Sequence, residues 1–299
     1  MIFNEARFTD KGMEFQGVTR TVGTLKEESL LRARYLHEKN PNITLGFSSG
    51  LDSQITFLSF YEQNLPIKCI FMHYPGYNDE EHNNVQQFRE RYPMDLRIVE
   101  IDPYSLKDHL ISEGEKHKIH PNQILHQHMV KMIDPESLYV QGPDVPFFLP
   151  IDDECYYWES PQWHEWGKKR AFSMLNRPGK EIMWDKNSEM TLSFAKDPMY
   201  QAFMYARDYF RNNGILLHGE KPSLLDYWDI YVKPVLFHQH YQNQLIYFPK
   251  IQGPENIDLI MKVKPPDVLK KYIKVKVSEL IQNLETPGTH LFPFKESTE

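Results

Sequence analysis

The sequence predicts an α/β protein built on a doubly wound parallel sheet, with a mostly helical C-terminal part. Three observations support this fold class. Short apolar runs typical of buried strands alternate with longer segments of helical periodicity between residues 40 and 101. Turn-forming residues separate the two kinds of segment. Alternation of this kind implies right-handed crossovers, a sheet covered on both faces, and ligands at the carboxyl ends of the strands.

The elements follow from the periodicity in chain order. A short strand or hairpin is predicted near residues 13–22, and a helix over 25–39 turns its leucines toward the core. Proline and glycine punctuate the elements that come next, at residues 75–76 and 93. These elements are a strand at 43–47, a helix at 52–64, a strand at 67–74, a helix at 79–91, a strand at 96–101, a helical stretch at 105–133 and a strand at 138–144.

The character of the chain changes beyond residue 150. Residues 151–170 mix aromatic residues with acids, and helical segments are predicted at 199–211, 223–231, 268–272 and 277–284. We therefore predict two domains, an α/β domain with an N-terminal extension over residues 1–150 and a mostly helical region over 151–299. The tryptophans Trp158, Trp163 and Trp166 either line a pocket for a ring or sugar or pack in the core.

Composition excludes several classes of protein. The net charge of −7 gives no general attraction to nucleic acid or to anionic membranes, so nucleic acid is an unlikely partner. Neither a membrane-spanning run nor a signal peptide is recognised, which predicts a cytoplasmic protein without membrane contact. Cys69 and Cys155 are the two cysteines, too few for a disulfide framework or a four-cysteine metal site.

The most informative segment is the turn between the first predicted parallel strand and its helix. It has the sequence Ser48-Ser49-Gly50-Leu51-Asp52-Ser53. A helix start carries N–H groups without intrahelical partners and a partial positive charge, and glycine lets backbone approach an anion closely. The turn is therefore a candidate polyphosphate site. The alternative is an ordinary turn in which Ser53 or Asp52 caps the helix.

This turn resembles the PP-loop, S-G-G-x-D-S, of the N-type ATP pyrophosphatases, whose fold is HUP-like; Ser49 replaces the first glycine. Later segments are similar in pattern to the synthetase domain of asparagine synthetases. Asp79-Glu80 opens a helix after the second strand, Gly142-Pro143-Asp144 resembles a glycine-acid turn, and Leu224-Leu225-Asp226 resembles an F-L-D segment. The resemblance covers mainly residues 40–150 and implies that residues 1–150 bind ATP and that 151–299 bind the acceptor substrate.

The resemblance also implies roles for individual residues. The loop residues 48–53 would bind the pyrophosphate of ATP, with Ser48 and Ser53 as hydroxyl donors, and Gly142 would lie beside them. Adenine would lie against the second strand, at the backbone of Met72 and His73. Because Mg²⁺ prefers carboxylate and phosphate oxygens, we expect Asp52 and Asp144 to be its ligands, although Asp144 is also a common turn-former.

Catalytic residues are expected in the second half. The resemblance places at Lys250 a lysine that neutralises an adenylated intermediate; the alternative is a surface lysine. Glu154, Glu159 and Glu165 fall where a glutamate would act as general base toward an amine, and the sequence does not choose among them. A zinc site at the histidines 117, 120, 126 and 128, or at His238 and His240, is a weaker alternative.

Departures from the family narrow the expected function. Ile2 stands where a glutaminase cysteine would be, no cysteine follows Cys155 as PAPS reductases require, and the cysteine cluster of deazaguanine synthases is missing. The sequence therefore predicts a ligase that cleaves ATP to AMP and pyrophosphate, adenylating a carboxylate or amide-like oxygen for attack by an amine or ammonia. The acceptor substrate is either a small molecule or bound to a carrier. The sequence does not decide whether the protein forms a homo-oligomer. The alternative is a PP-loop protein that binds nucleotide without turnover, in regulation or assembly.

Overall fold

The structure of this chain is a computed structural model. It describes residues 3–102, 108, 112, 129–142, 146–151, 154–159, 180–182, 187–197, 233–248 and 271–296, and element labels below number the described elements in chain order.

A five-stranded parallel sheet forms the centre of the molecule, in the order β5-β4-β3-β6-β9. Its inner strands are largely buried, as expected for a parallel sheet covered on both faces. The chain runs outward from β3 to β4 and β5, then returns to the other side of β3 for β6 and β9, so the sheet is doubly wound as predicted. The strands are β3 (Ile43–Gly46), β4 (Lys68–His73), β5 (Asp95–Glu100), β6 (Leu138–Gln141) and β9 (Lys180–Ile182).

Six α-helices lie in the described residues. The first has a capping box in which Thr24 and Glu27 bond reciprocally, and the second is buried along most of its length. The third begins with three acidic residues and ends with arginines, which suits the helix dipole. The helices are α1 (Leu25–Lys39), α2 (Leu51–Tyr61), α3 (Asp79–Arg91), α4 (Ser188–Ala195), α5 (Lys233–Tyr241) and α6 (Val277–Leu284).

Two antiparallel sheets accompany the parallel sheet. One has the order β1-β2-β11 and joins the N-terminal residues to the C-terminal ones, and the other has the order β12-β10-β8-β7. Their strands are β1 (Arg7–Phe8), β2 (Gly12–Gln16), β7 (Phe147–Ile151), β8 (Glu154–Glu159), β10 (Lys271–Lys276), β11 (Thr289–Pro293) and β12 (Lys295–Glu296).

The predicted α/β fold with a doubly wound parallel sheet is confirmed, but the described residues of the C-terminal part contain the strands β8 to β12 as well as the helices α4 to α6. One predicted helix is wrong. We predicted a helix over residues 268–272, but residues 271 and 272 begin β10, which pairs with β8 on one side and β12 on the other. The alternation of Tyr272, Ile273, Lys274 and Val275 has the period of a strand, and pairing on both sides favours the strand. The helices predicted at 199–211 and 223–231 lie outside the described residues, and the division at residue 150 stays a prediction.

Candidate functional site: a loop and a cavity at the carboxyl edge of the parallel sheet

A cavity of about 280 Å³, lined mostly by apolar atoms, opens at the carboxyl ends of β3, β4 and β6. This position is the topological switch point, where chain connections leave β3 in opposite directions and where doubly wound proteins bind ligands. Four residues of the predicted phosphate loop line it: Ser48, Gly50, Asp52 and Ser53. The cavity therefore joins the loop to the end of the neighbouring strands.

The loop leaves the start of α2 open toward the cavity. Gly50 is the N-cap residue, and it has no side chain with which to cap the helix. Its carbonyl oxygen accepts the first helical bond, from the Gln54 N–H at 3.0 Å. Neither Ser53 nor Asp52 is the N-cap, so the interpretation of this turn as an ordinary capped turn is not what the structure contains. An uncapped helix start beside a cavity is suited to an anion.

Two serine hydroxyls stand together in the loop. The Ser53 hydroxyl donates to the Gly50 carbonyl oxygen at 2.9 Å and accepts from the Ser48 N–H at 3.3 Å. The two hydroxyl oxygens of Ser48 and Ser53 are 3.5 Å apart. Both side chains line the cavity, so they add hydroxyl donors to the amides of the loop.

Ser49 and Leu51 do not line the cavity but shape the loop. Ser49 is buried, with φ at 59°, in the left-handed region that glycine adopts without strain. This explains why a glycine is expected at this position of the PP-loop pattern. Leu51 packs against the hydrophobic core.

Gln54 holds the loop to a distant segment of the chain. Its side-chain amide donates to the carbonyl oxygens of Ser49, at 2.6 Å, and Ile246, at 2.7 Å, and its oxygen accepts from the Ile246 N–H at 2.9 Å. The side chain is fully buried, and both its donor and its acceptor are satisfied. The tie fixes the segment that follows α5 against the phosphate loop.

Lys233, in the first turn of α5, forms an ion pair with the Asp52 carboxylate. The side chains are 15% and 20% exposed, so the pair lies at the mouth of the site and not in bulk solvent. Sequence reasoning missed Lys233 because the two residues are 181 positions apart and no local pattern links them. The pair brings a positive charge to the predicted phosphate site.

Gly142 lies where β6 meets the start of α2. A Cβ atom at this position would stand 2.3 Å from the Thr56 hydroxyl and 2.7 Å from the Asp52 carbonyl oxygen. Gly142 lines the cavity, and this position requires glycine for the close approach of two backbones; its predicted role in binding the cofactor stays a prediction.

Of the two residues predicted at the adenine site, Met72 lines the cavity and His73 does not. The Ile70 carbonyl accepts from the Phe47 N–H at 3.0 Å and therefore faces β3. Met72, two residues on, turns its N–H and C=O to the same side, where β3 has already ended. The His73 carbonyl instead accepts from Ile101 at 2.9 Å, on the β5 side.

The turn after β4 satisfies its polar groups internally. The Asn78 side chain accepts from the Tyr74 N–H at 2.6 Å and donates to the Met72 carbonyl at 2.9 Å. The Asp79 carboxylate lies 2.7 Å from His73 Nε2 and accepts from the Gly76 N–H at 3.0 Å. The bond to His73 is the main reason why the pKa of Asp79 is lowered.

Glu81 is a carboxylate of the cavity that the sequence did not single out. It is an exposed residue in the first turn of α3, and it lines the cavity together with Tyr74 and Asn78. The surrounding protein raises its pKa, because desolvation disfavours the charged form. The local signal was the acidic run at the start of the helix, which has an ordinary explanation in the helix dipole.

The remaining predicted residues are not brought to the cavity within the described chain. Glu159 is buried on β8 of the antiparallel sheet, opposite Ile273, and Glu154 pairs with Lys276 at 2.7 Å. Lys250, Glu165 and Asp144 lie outside the described residues, as do the histidines at 117, 120, 126 and 128. Trp158 stacks on Tyr272 with ring centroids 6.3 Å apart.

His238 and His240 lie on a helix, where residues two apart do not share a face. His240 Nε2 lies 2.5 Å from an Asp197 carboxylate oxygen. In the part of the chain that the structure describes, no group of three or more His, Cys, Asp or Glu side chains is arranged to hold a metal ion. The same part contains no helix long and apolar enough to cross a membrane.

No protein-family model matches this chain, and no curated protein matches it. Solved structures with a similar arrangement include an NH3-dependent NAD synthetase from Campylobacter jejuni, at 12% identity and a TM-score of 0.34, covering 77% of this chain and 99% of that one. An NMN synthetase from Francisella tularensis is 10% identical, with a TM-score of 0.35 and coverage of 77% and 100%. A glutamine-dependent NAD+ synthetase from Acinetobacter baumannii is 12% identical, with a TM-score of 0.31 and coverage of 78% and 48%.

Proposed function

We propose that this protein is a PP-loop ligase that cleaves ATP to AMP and pyrophosphate. The observation that carries the proposal is the loop after β3. Its helix start has Gly50 as the N-cap residue and no side-chain cap. This helix start and two serine hydroxyls face a cavity at the switch point of a doubly wound sheet. Such a loop binds the leaving pyrophosphate, on which charge builds as the bond between the α- and β-phosphates breaks.

Lys233 is the best-placed cation for the phosphates. It already contacts Asp52 in the loop, so its ammonium group is within a side chain's length of the uncapped helix start. We therefore assign to Lys233 the neutralisation of phosphate charge on ATP, and Lys250 stays our proposal for the lysine that neutralises the adenylated intermediate.

The loop suits magnesium that is held mainly by phosphate and water. Mg²⁺ commonly takes one or two carboxylates and completes its octahedral shell with substrate oxygens. We propose Asp52 as one carboxylate ligand and Asp144 as the second, and the hydroxyl-bearing Ser48 and Ser53 line the same cavity as Asp52. When bound, the ion would neutralise charge on the pyrophosphate as it leaves.

The proposed reaction has two steps. An oxygen of the acceptor carboxylate or amide attacks the α-phosphorus of ATP, and the bond to the bridging oxygen breaks to release pyrophosphate. An amine or ammonia nitrogen then attacks the activated carbon, and AMP leaves with the acceptor oxygen. We propose Glu165, which lies outside the described residues, as the base that takes the proton from the nitrogen, in a reaction like that of the synthetase domain of asparagine synthetases.

The product of ATP cleavage tests this function. ATP labelled at the α-phosphate is incubated with the protein, Mg²⁺ and a panel of carboxylic acids paired with amines or ammonia, and the label is followed into AMP or ADP. We expect AMP and equimolar pyrophosphate with the correct pair, and loss of both products in Asp52→Asn. Measurable ATP binding without AMP from any pair would favour the alternative, a nucleotide-binding protein without turnover.

A second variant tests the role of Lys233. Lys233→Met should weaken binding of Mg·ATP about tenfold or more, because a charge-assisted hydrogen bond is lost. Lys196→Met is the matched control, since Lys196 pairs with Glu285 on the surface at 2.5 Å and does not line the cavity. Equal affinities of the two variants, measured by calorimetry, would remove Lys233 from the phosphate site.

A further inference from the structure

The residues that line the cavity at and after the end of β4 present two hydrogen-bond acceptors to one amino group. The amide nitrogen of Asn78 lies 2.9 Å from the Met72 carbonyl oxygen and 3.5 Å from a Glu81 carboxylate oxygen. The side-chain amide of Asn78 therefore shows that an amino group in this position has two acceptors within reach. A carbonyl oxygen has two lone pairs and a carboxylate has about four, so both acceptors keep capacity for a further donor.

The two turns that line the cavity differ in charge. The turn from β3 to α2 has the open start of α2 and the ammonium group of Lys233. The turn from β4 to α3 leads to Glu81, next to Asp79 and Glu80 in the first turn of α3, and no cation pairs with Glu81 among the described residues. An anionic group is favoured at the loop and disfavoured at Glu81. A nucleotide in this cavity is thereby oriented with its phosphates at the loop and its base at Met72 and Glu81.

We propose that Glu81 selects the base of the nucleotide by accepting a hydrogen bond from an exocyclic amino group. The amino group of a 6-aminopurine donates to the Glu81 carboxylate and to the Met72 carbonyl. A 6-oxopurine turns an oxygen toward the same two acceptors, which repel it and leave it without a donor. The inference rests on the proposed function, because it requires that the cavity bind a purine nucleotide.

Inosine triphosphate is the sharpest probe, because it differs from ATP at position 6 of the base. Binding of Mg·ATP and Mg·ITP to the full chain is measured by calorimetry for the wild type, Glu81→Gln and Glu81→Ala. We expect the wild type to prefer ATP by about 10- to 100-fold, as one charge-assisted hydrogen bond allows. Glu81→Gln should lower this ratio about tenfold or more, since a carboxamide also donates to an oxo group.

The other variants separate the contributions. Glu81→Ala should weaken ATP binding and leave ITP binding nearly unchanged or improved, because it removes both the acceptor and the repulsion. Glu80→Gln is the matched control; Glu80 is the neighbouring exposed carboxylate, and it does not line the cavity. Its ATP-to-ITP ratio should equal that of the wild type. Thermal unfolding of each variant confirms that the proteins compared are folded.

The outcomes distinguish this inference from the proposed function. A wild type that binds neither ATP nor ITP would overturn both. ATP binding with equal changes for both nucleotides in Glu81→Gln would overturn the role of Glu81 and leave the nucleotide site standing. A smaller preference for ATP over ITP in Glu81→Gln, with the preference of Glu80→Gln equal to that of the wild type, supports the role of Glu81.

Discussion

Two turns at the same edge of the sheet differ in how they treat their own polar groups. The turn from β3 to α2 starts its helix at a glycine and carries one acidic residue in the first helical turn, which Lys233 pairs. The turn from β4 to α3 carries three acidic residues there, and Asn78 and Asp79 bond to its backbone. The first turn is open to an anion and the second repels one.

The comparison separates a binding turn from a structural one. Both follow a buried parallel strand and precede a helix, so topology alone does not decide which of them binds phosphate. Neither helix start has a side-chain cap, so the difference lies in charge: the first turn of α2 has one acidic residue, which Lys233 pairs, and the first turn of α3 has three. The turn from β3 to α2 also depends on a distant segment for its shape, because Gln54 bonds to the backbone of Ile246.

The largest expected effect comes from cutting that long-range support. Gln54→Leu keeps the volume of the side chain but leaves the Ser49 carbonyl and both backbone groups of Ile246 without their partner. A buried group that loses its partner costs about 1–3 kcal/mol; Ser49 is buried, but Ile246 is half-buried and water replaces part of its bonds, so we expect a loss of about 2–4 kcal/mol in the free energy of unfolding. Urea denaturation measures it.

Gln63→Leu is the control for Gln54. Gln63 also donates to two backbone carbonyls, those of Leu30 at 2.9 Å and Ser59 at 2.7 Å, but it is only half-buried. Water replaces its bonds more easily, so the loss should be smaller. Equal losses in the two variants would mean that the loop does not depend on Gln54 in particular.

Two glycines that line the cavity, one in the phosphate loop and one after β6, should separate folding from binding. At Gly142 an added Cβ meets backbone at 2.7 Å, so Gly142→Ala should cost about 1–3 kcal/mol of stability through overpacking. Gly50 has φ at −63°, and its added Cβ would meet only the Ser48 hydroxyl oxygen, at 3.5 Å. Gly50→Ala should therefore change stability by less than about 1 kcal/mol while weakening ATP binding, because the methyl group enters the cavity.

Thermal unfolding and calorimetry on the two glycine variants check this separation. A Gly50→Ala protein with wild-type ATP affinity would show that phosphate does not approach the backbone at this residue. A fully stable Gly142→Ala protein would contradict the close approach of β6 to α2.

Because Ser49 is strained, replacing it with glycine should stabilise the protein. Ser49→Gly removes a Cβ from a left-handed residue and should raise the free energy of unfolding by about 1 kcal/mol, net of the greater freedom of glycine in the unfolded chain. Asn64→Gly is the control, because asparagine tolerates its φ of 55° better and the expected gain is near zero. Denaturant titrations of both variants give the comparison; destabilisation by Ser49→Gly would mean that the serine side chain supports the loop.

The sequence was sufficient where structure is local. The helices at residues 25–39 and 79–91 have the predicted bounds, and the phosphate loop lies between a strand and a helix, because periodicity and turn residues act over a few positions. The fold class follows from the same alternation. Gly142 lies near the loop because β6 pairs in parallel with β3, which brings their carboxyl ends together.

The parts of the site that the sequence did not reveal depend on long-range contacts. Lys233 and Gln54 act through partners 181 and 192 residues away, and no local pattern marks such pairs. Glu81 was hidden for a different reason, since acidic residues at a helix start are expected for the helix itself. Glu159 lies on a strand of another sheet, and the spacing that suggested it carries no information about that sheet.

The smallest expected effect concerns the turn from β4 to α3, and it depends on pH. The bond to His73 lowers the pKa of Asp79, so the folded state favours the charged carboxylate. Asp79→Asn keeps the shape and removes the charge. The stability that the wild type gains over this variant should be complete above the unfolded pKa of about 3.9 and disappear as the pH falls through the lower folded pKa. Urea denaturation from pH 7 to pH 2.5 measures the difference, and Glu80→Gln controls for loss of a carboxylate from the same helical turn. If the wild type is still more stable than Asp79→Asn at the lowest pH, the charge of Asp79 is not what stabilises this turn.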